Sequence, residues 1–121
     1  VEVYDNILAT IGKTPLVRLQ KLFAGESFRV YAKLEALNLG GSIKDRPAQT
    51  PHRGGPARGR IGPNSTIIES SSGNLGIGLA QACRYHDLRF ICVVDPKTAA
   101  QNLPLLQAYG AEMERSPRPA R

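Results

Sequence analysis

At residues 69–74 the chain places Glu69, Ser70, Ser71, Ser72, Gly73 and Asn74 in succession, where the apolar run STIIES (65–70) gives way to a helical pattern. Backbone N–H groups at a helix start lack carbonyl partners and carry the positive end of the helix dipole, so an anion such as a carboxylate suits this junction. Gly73 allows an unusual turn, and Gly76 and Gly78 let the helix lie close to a neighbour. The bland reading is a capped loop with no ligand. The spacing fits neither the GxGxxG nor the GxxxxGK[ST] phosphate loop, which disfavours a nucleotide site.

Lys44 is the second candidate, following Gly40, Gly41 and Ser42 at the expected start of a helix. A lysine attacks a carbonyl only as the neutral amine, a state favoured by the positive potential of a helix start and, in the same direction, by nearby Arg46. The bland reading is a solvated surface lysine beside Asp45 and Arg46, and Lys97 is read that way outright. Cys83 and Cys92 lie nine positions apart and outside any CxxC pair, so they read as buried free thiols, and no metal site is expected. His52 and His86 have no carboxylate or second histidine at ligand spacing and receive no role.

These residues need elements to hold them. IGKTPLVRL (11–19) carries turn signals at Gly12 and Pro15 and then a short strand, and FRVYAKLEA (28–36) alternates as a half-buried strand. In NLGGSIKDR (38–46) the two glycines form a loop and Ser42 is the expected helix N-cap, with Lys44, Asp45 and Arg46 in the first turn. Pro47, Pro51, Gly54, Gly55 and Pro56 then argue against continuation, since an interior Pro costs about 3 kcal/mol and each Gly about 1 kcal/mol relative to Ala. From residue 61 the pattern is regular: a buried strand at 65–70, a loop and helix over 71–87, and a β-branched strand RFICVV at 89–94. A helix within 99–110 follows, starting near Asn102 or kinked at Pro104 and ended by Gly110, and AEME (111–114) opens another strand. Strand and helix alternating in this way give an α/β fold, a parallel sheet with helices on its faces.

The formal charge of +6 invites a nucleic-acid or membrane-surface reading, but its placement does not. Segments 49–60 and 115–121 each hold three arginines and no acid, and without them the 16 basic residues fall to the number of the 10 acids. Neither segment contains an aromatic residue to stack on bases, so nucleic-acid or anionic-surface binding stands only as the rival from another function class. No run approaches the roughly 20 apolar residues of a bilayer span, and residues 1–5 carry two acids and no signal-like pattern, which favours a cytoplasmic location with no membrane partner.

Taken in order, IGKTPLVRL, then KLEALNLGGSIKDRPA (33–48), then ESSSGNLGIGLA (69–80), then the VVDPK and LLQAYGAE stretches resemble the fold-type II pyridoxal-phosphate enzymes, the cysteine synthase-like family. The resemblance covers most of residues 7–114, omits 49–60 and stops at Arg115. SSGNLG and DPK followed by Asn102 and Leu103 are most similar to the branch that makes N-(2-amino-2-carboxyethyl)-L-glutamate, a siderophore precursor, from O-phosphoserine and glutamate. Cysteine synthase, using O-acetylserine and sulfide, is the alternative within the family.

The resemblance implies pyridoxal 5′-phosphate as cofactor, held covalently by Lys44, which would also move the substrate α-proton. It implies a hydrogen bond from Asn74 to the ring oxygen and a substrate-carboxylate site at Ser71, Ser72 and Gly73. It further implies small amino-acid substrates and a homodimer for the intact family member. The family usually has Thr where Ser71 stands and often where Leu75 stands, so contacts from those positions are altered here. Its phosphate-binding Gly/Thr-rich loop and the Ser or Thr facing the pyridine nitrogen come later in the chain and have no counterpart in RSPRPAR (115–121).

The expectation is therefore a single incomplete domain, inactive by itself. It divides into a leading segment with the cofactor lysine (1–48), an irregular basic segment (49–60), a βαβαβ unit (61–114) and a disordered tail (115–121). Family length with foreign Arg/Pro/Gly-rich content at 49–60 is what two compensating reading-frame slips would leave, a hypothesis that translation of the underlying DNA in the other frames tests. Absence of an amphipathic helix there, and of a continuation after 114, would rule it out.

Overall fold

The structure, a computed structural model, describes residues 1–49, 61–71, 73–96, 98 and 100–116. The expectations for Ser72, Lys97, His52, the basic segment beyond Gln49 and the tail beyond Ser116 lie outside the described residues.

Among the described residues the chain forms two small sheets. β1 (Leu16–Arg18) pairs antiparallel with β2 (Tyr31–Lys33), Val17 opposite Ala32. Single hydrogen bonds continue the ladder at each end, Leu19 N–H to Val30 O at 3.0 Å and Leu34 N–H to Pro15 O at 3.0 Å. The strand expected over 28–36 is thus shorter. Its alternation holds from Val30 to Leu34, with Val30, Ala32 and Leu34 the less exposed, while Phe28 is exposed and lies against Phe23, with ring centroids 5.9 Å apart.

The second sheet is parallel, in the order β3 (Thr66–Ser70), β4 (Arg89–Val94), β5 (Glu112–Arg115). Helix α2 (Asn74–Tyr85) connects β3 to β4 and α3 (Asn102–Ala108) connects β4 to β5. The single turn α1 (Asp45–Ala48) precedes them in the chain. The expected βαβαβ alternation is therefore observed, with α3 starting at Asn102 and Gly110 ending it at φ +82°, a backbone angle that favours glycine.

The core lies on one face of the parallel sheet, where Phe90, Cys92 and Val94 of β4 meet Ile77, Ala80 and Cys83 of α2 and Leu106 of α3. β3 differs from its expected buried character: it is an edge strand, and Thr66, Ile68 and Ser70 lie on the face away from the helices, all exposed. β5 runs through Arg115, and Ser116 N–H donates to Val94 O at 2.8 Å, so the ladder continues into the first two residues of the expected tail. No helix of the described residues is long and apolar enough to cross a membrane.

Candidate functional site

The turn before α2 is built outward from the sheet. Ser71 N–H still donates to Val93 O at 3.1 Å, which holds Ser71 at the sheet edge. Its hydroxyl turns toward α2, where Oγ accepts from Gly76 N–H at 3.0 Å and Gly73 N–H at 3.4 Å. Ser71 therefore supplies the capping oxygen, while Gly73 occupies the cap position without a side chain.

Cys92 supports this turn from beneath. Its thiol is fully buried and donates to Ser71 O at 3.4 Å, and a Cβ on Gly76 would come within 3.2 Å of the sulfur. Burial raises the Cys92 pKa and pushes Cys83 up to about 11. Thiols kept protonated in this way are packing groups at neutral pH, not nucleophiles.

With Gly76 N–H committed to Ser71, helix geometry leaves the N–H groups of Asn74 and Leu75 as first-turn donors without intrahelical partners. Asn74 is exposed, and a Cβ added at Gly73 would meet nothing within 4 Å, so the turn is open above its donors.

Lys44 lies in the turn between Gly41, at φ +78°, and α1. The helix begins two residues later than the sequence suggested, at Asp45: Lys44 itself is the cap residue and has no side-chain cap bond. Ser42, expected as the N-cap, accepts the Lys44 N–H through Oγ at 3.1 Å, a bond of the capping kind made one turn ahead of α1. The Lys44 side chain is exposed.

Its neighbour Asp45 points inward and is fully buried, with Oδ2 accepting Gly40 N–H at 2.6 Å and Oδ1 without a hydrogen-bond partner. Desolvation raises the Asp45 pKa. Asp45 and Ala48 pack on Gly78, where an added Cβ would come 2.9 Å from Ala48 Cβ and 3.1 Å from Asp45 Oδ1. Gly78 lies about one helical turn from Asn74, so this contact joins the lysine turn to the helix that begins at the 71–74 turn.

Arg46 departs from the sequence reading. Its guanidinium forms a two-pronged pair with Glu35, Nε to Oε2 at 2.7 Å and Nη2 to Oε1 at 2.7 Å, so its charge is matched and not directed at Lys44. Arg46, with Thr14 and Asn38 adding hydrogen bonds, lowers the Glu35 carboxyl to about 2. Sequence reasoning missed this cluster, because Glu35 read as the polar side of a strand and the pair spans 11 positions with no local pattern.

A cleft bordered by Asn6, Leu8, Gln49, Ala82 and His86 lies at the other end of α2 from Asn74 and contains none of the candidate residues. Among the described residues no group of three His, Cys, Asp or Glu side chains is placed to hold a metal.

An open turn edged by N–H donors fits a carboxylate, and an exposed primary amine fits a carbonyl compound. The residues present thus suit an aldehyde-bearing cofactor that works on an amino acid.

Comparison with known proteins gives the same answer. The family described as pyridoxal-phosphate dependent enzyme matches residues 7–120, a span that takes in 49–60 and runs past Arg115, further than the motifs alone reached. The N-(2-amino-2-carboxyethyl)-L-glutamate synthase of Ralstonia nicotianae is 54% identical over 113 residues, covering 93% of this chain and 33% of the relative. Among solved structures, O-ureido-L-serine synthase superposes with a TM-score of 0.87 at 40% identity, over 96% of this chain and 36% of that one. Cysteine synthase from Entamoeba histolytica gives a TM-score of 0.88 at 34% identity, over 95% of this chain and 35% of that one. The chain spans about a third of the length of the curated relatives it matches. Motif order, parallel βαβαβ topology and matched length agree, and the chain belongs to the pyridoxal-phosphate dependent enzyme family.

Proposed function

We propose that these residues form the lysine-bearing and carboxylate-binding part of a pyridoxal-phosphate site for β-replacement on an O-activated L-serine, with O-phosphoserine and glutamate as the substrates. The observation that carries this reading is the packing of Asp45 and Ala48 on Gly78, which ties the Lys44 turn to the helix headed by Asn74. The high identity to the synthase from Ralstonia supports the choice of substrates. The likeness to a cysteine synthase supports the second reading, O-acetylserine with sulfide.

In this proposal Lys44 holds the cofactor through its amine and moves a proton at the substrate α-carbon. The Asn74 amide bonds the ring oxygen. Ser71, Ser72 and Gly73, with the first N–H groups of α2, orient the substrate carboxylate. Because Ser71 Oγ already accepts two backbone N–H groups, its part in carboxylate binding is to donate its own hydroxyl hydrogen. The cofactor, when bound, supplies the electron sink for β-elimination and addition. The division into leading, basic, sheet and tail segments, the cytoplasmic location and the homodimer belong to the same proposal.

The test is to mix the 121-residue chain with pyridoxal 5′-phosphate, reduce with borohydride and map the modified lysines by peptide mass. Dominant modification at Lys44 is expected, and equal modification of every lysine would refute a specific site. A panel of O-phosphoserine with glutamate and O-acetylserine with sulfide, run on a full-length relative, separates the two substrate readings.

A further inference from the structure

One carboxylate binds the three stretches of chain that surround Lys44. Glu35 Oε1 accepts from Thr14 Oγ1 at 2.8 Å and Arg46 Nη2 at 2.7 Å, while Oε2 accepts from Arg46 Nε at 2.7 Å and Asn38 Nδ2 at 2.9 Å. Those four bonds use the whole accepting capacity of a carboxylate. Its two chief partners reach onward. Asn38 Nδ2 also donates to Ser42 O at 3.0 Å, and Asn38 Oδ1 accepts Gly12 N–H at 2.8 Å. Arg46 Nη2 donates to Gly12 O at 2.9 Å. Gly12 has φ +89°, and a Cβ there would come 2.8 Å from Arg46 Nη1, so only glycine admits the guanidinium at this distance.

The consequence for Lys44 is geometric. Ser42, two residues before it, is tied to Glu35 through Asn38; Arg46, two residues after it, is tied directly. The Lys44 side chain lies outside this cluster and is exposed, whereas the Glu35 side chain is only 16% exposed. An amine that must hold a carbonyl, release it and then carry a proton needs a free tip on a fixed base.

We propose that Glu35 is a positioning residue for Lys44, acting through Arg46 and Asn38 to fix the backbone on both sides of it. The proposal rests on Lys44 being the cofactor lysine.

The test uses Glu35→Gln in the 121-residue chain, a change that keeps the shape of the side chain but turns one acceptor into a donor facing donors. Amide hydrogen exchange in residues 38–46 is expected to quicken about tenfold, while exchange in β4 stays as in the parent chain. Borohydride trapping of pyridoxal 5′-phosphate at Lys44 is expected to fall at least about threefold relative to the other lysines, since a misplaced amine loses the advantage of position.

Arg46→Lys, which keeps the charge and loses the fork, should fall between parent and Glu35→Gln in both readouts, and it decides the matter if Glu35→Gln does not fold. Unchanged exchange in residues 38–46 overturns the proposal, as does quickening in 38–46 and β4 together, which would make Glu35 a general stabiliser. Should the parent chain itself show no preference for Lys44, the cofactor-lysine reading fails and the positioning role falls with it. Unaltered Lys44 trapping in a Glu35→Gln chain whose parent shows that preference removes the positioning role alone.

Discussion

The leading segment and the parallel-sheet unit are held together by different physics. Among the described residues the buried apolar side chains of the first 49 positions are Leu8 and Ala48, and the others lie between Ile77 and Leu106. The exposed large apolar residues show the reverse distribution, with Leu16, Val17, Phe28, Leu37 and Ile43 all in the leading segment. What gives that segment its shape is the Glu35, Arg46, Asn38 and Thr14 cluster, a set of directional bonds. Apolar burial is non-directional and fixes which elements pack, whereas hydrogen bonds from a charged fork fix where individual atoms lie. The candidate site joins the two: Lys44 stands on the polar frame and the turn before α2, the candidate carboxylate site, on the apolar one.

The apolar frame depends most on its centre. Phe90 is 3% exposed and lies within the cluster formed by α2, α3 and β4, so Phe90→Ala should lower stability in urea denaturation. The expected loss is about 3–5 kcal/mol, the usual range for truncating a buried aromatic side chain. A loss under about 1 kcal/mol would mean that the sheet unit does not depend on its core, and the contrast between the two regions would fail.

A smaller effect belongs to the seam. In Gly78→Ala the new methyl would sit 2.9 Å from Ala48 Cβ, a short and rigid group, so α1 has to shift away from α2. Overpacking of this kind costs about 1–3 kcal/mol, offset by about 1 kcal/mol of improved helix propensity. The net expectation is a loss of up to about 2 kcal/mol, with faster hydrogen exchange in α1 and little change in β4. A stabilised Gly78→Ala protein would show that the two frames are not in contact as described.

Much of the apolar frame was legible in the sequence, since a β-branched run such as RFICVV and a helix bounded by Asn102 and Gly110 announce themselves locally. β3 was legible as a strand but not as an exposed one, because its burial depends on its place at the sheet edge, which a pattern of five residues does not encode. In the polar frame the order was reversed. Lys44 stood out as a candidate from its motif, yet the side chains bonded around its turn did not. Glu35 and Arg46 meet across a fold, and each has an unremarkable local setting. Ser71 shows the same limit: its type marks a cap or an anion site, and only the direction of Oγ toward Gly76 shows that it caps.

The sheet unit carries an ion pair of the same geometry in a more exposed setting. Arg89 and Glu112 form the same two-pronged pair as Arg46 and Glu35, with Nε to Oε1 at 2.7 Å and Nη2 to Oε2 at 2.6 Å. Their side chains, however, are 58% and 53% exposed, whereas Glu35 is 16% exposed and is also bonded by Thr14 and Asn38. Exposed pairs contribute little to stability, so Arg89→Ala should leave the urea-denaturation midpoint close to that of the parent chain, and closer still at high salt. A clear fall in the midpoint would make the fork alone sufficient to order the chain, whatever its surroundings. The expected near-neutral result would instead assign the ordering in the leading segment to what Glu35 has and Glu112 lacks: a carboxylate only 16% exposed that is bonded by Arg46, Asn38 and Thr14 together.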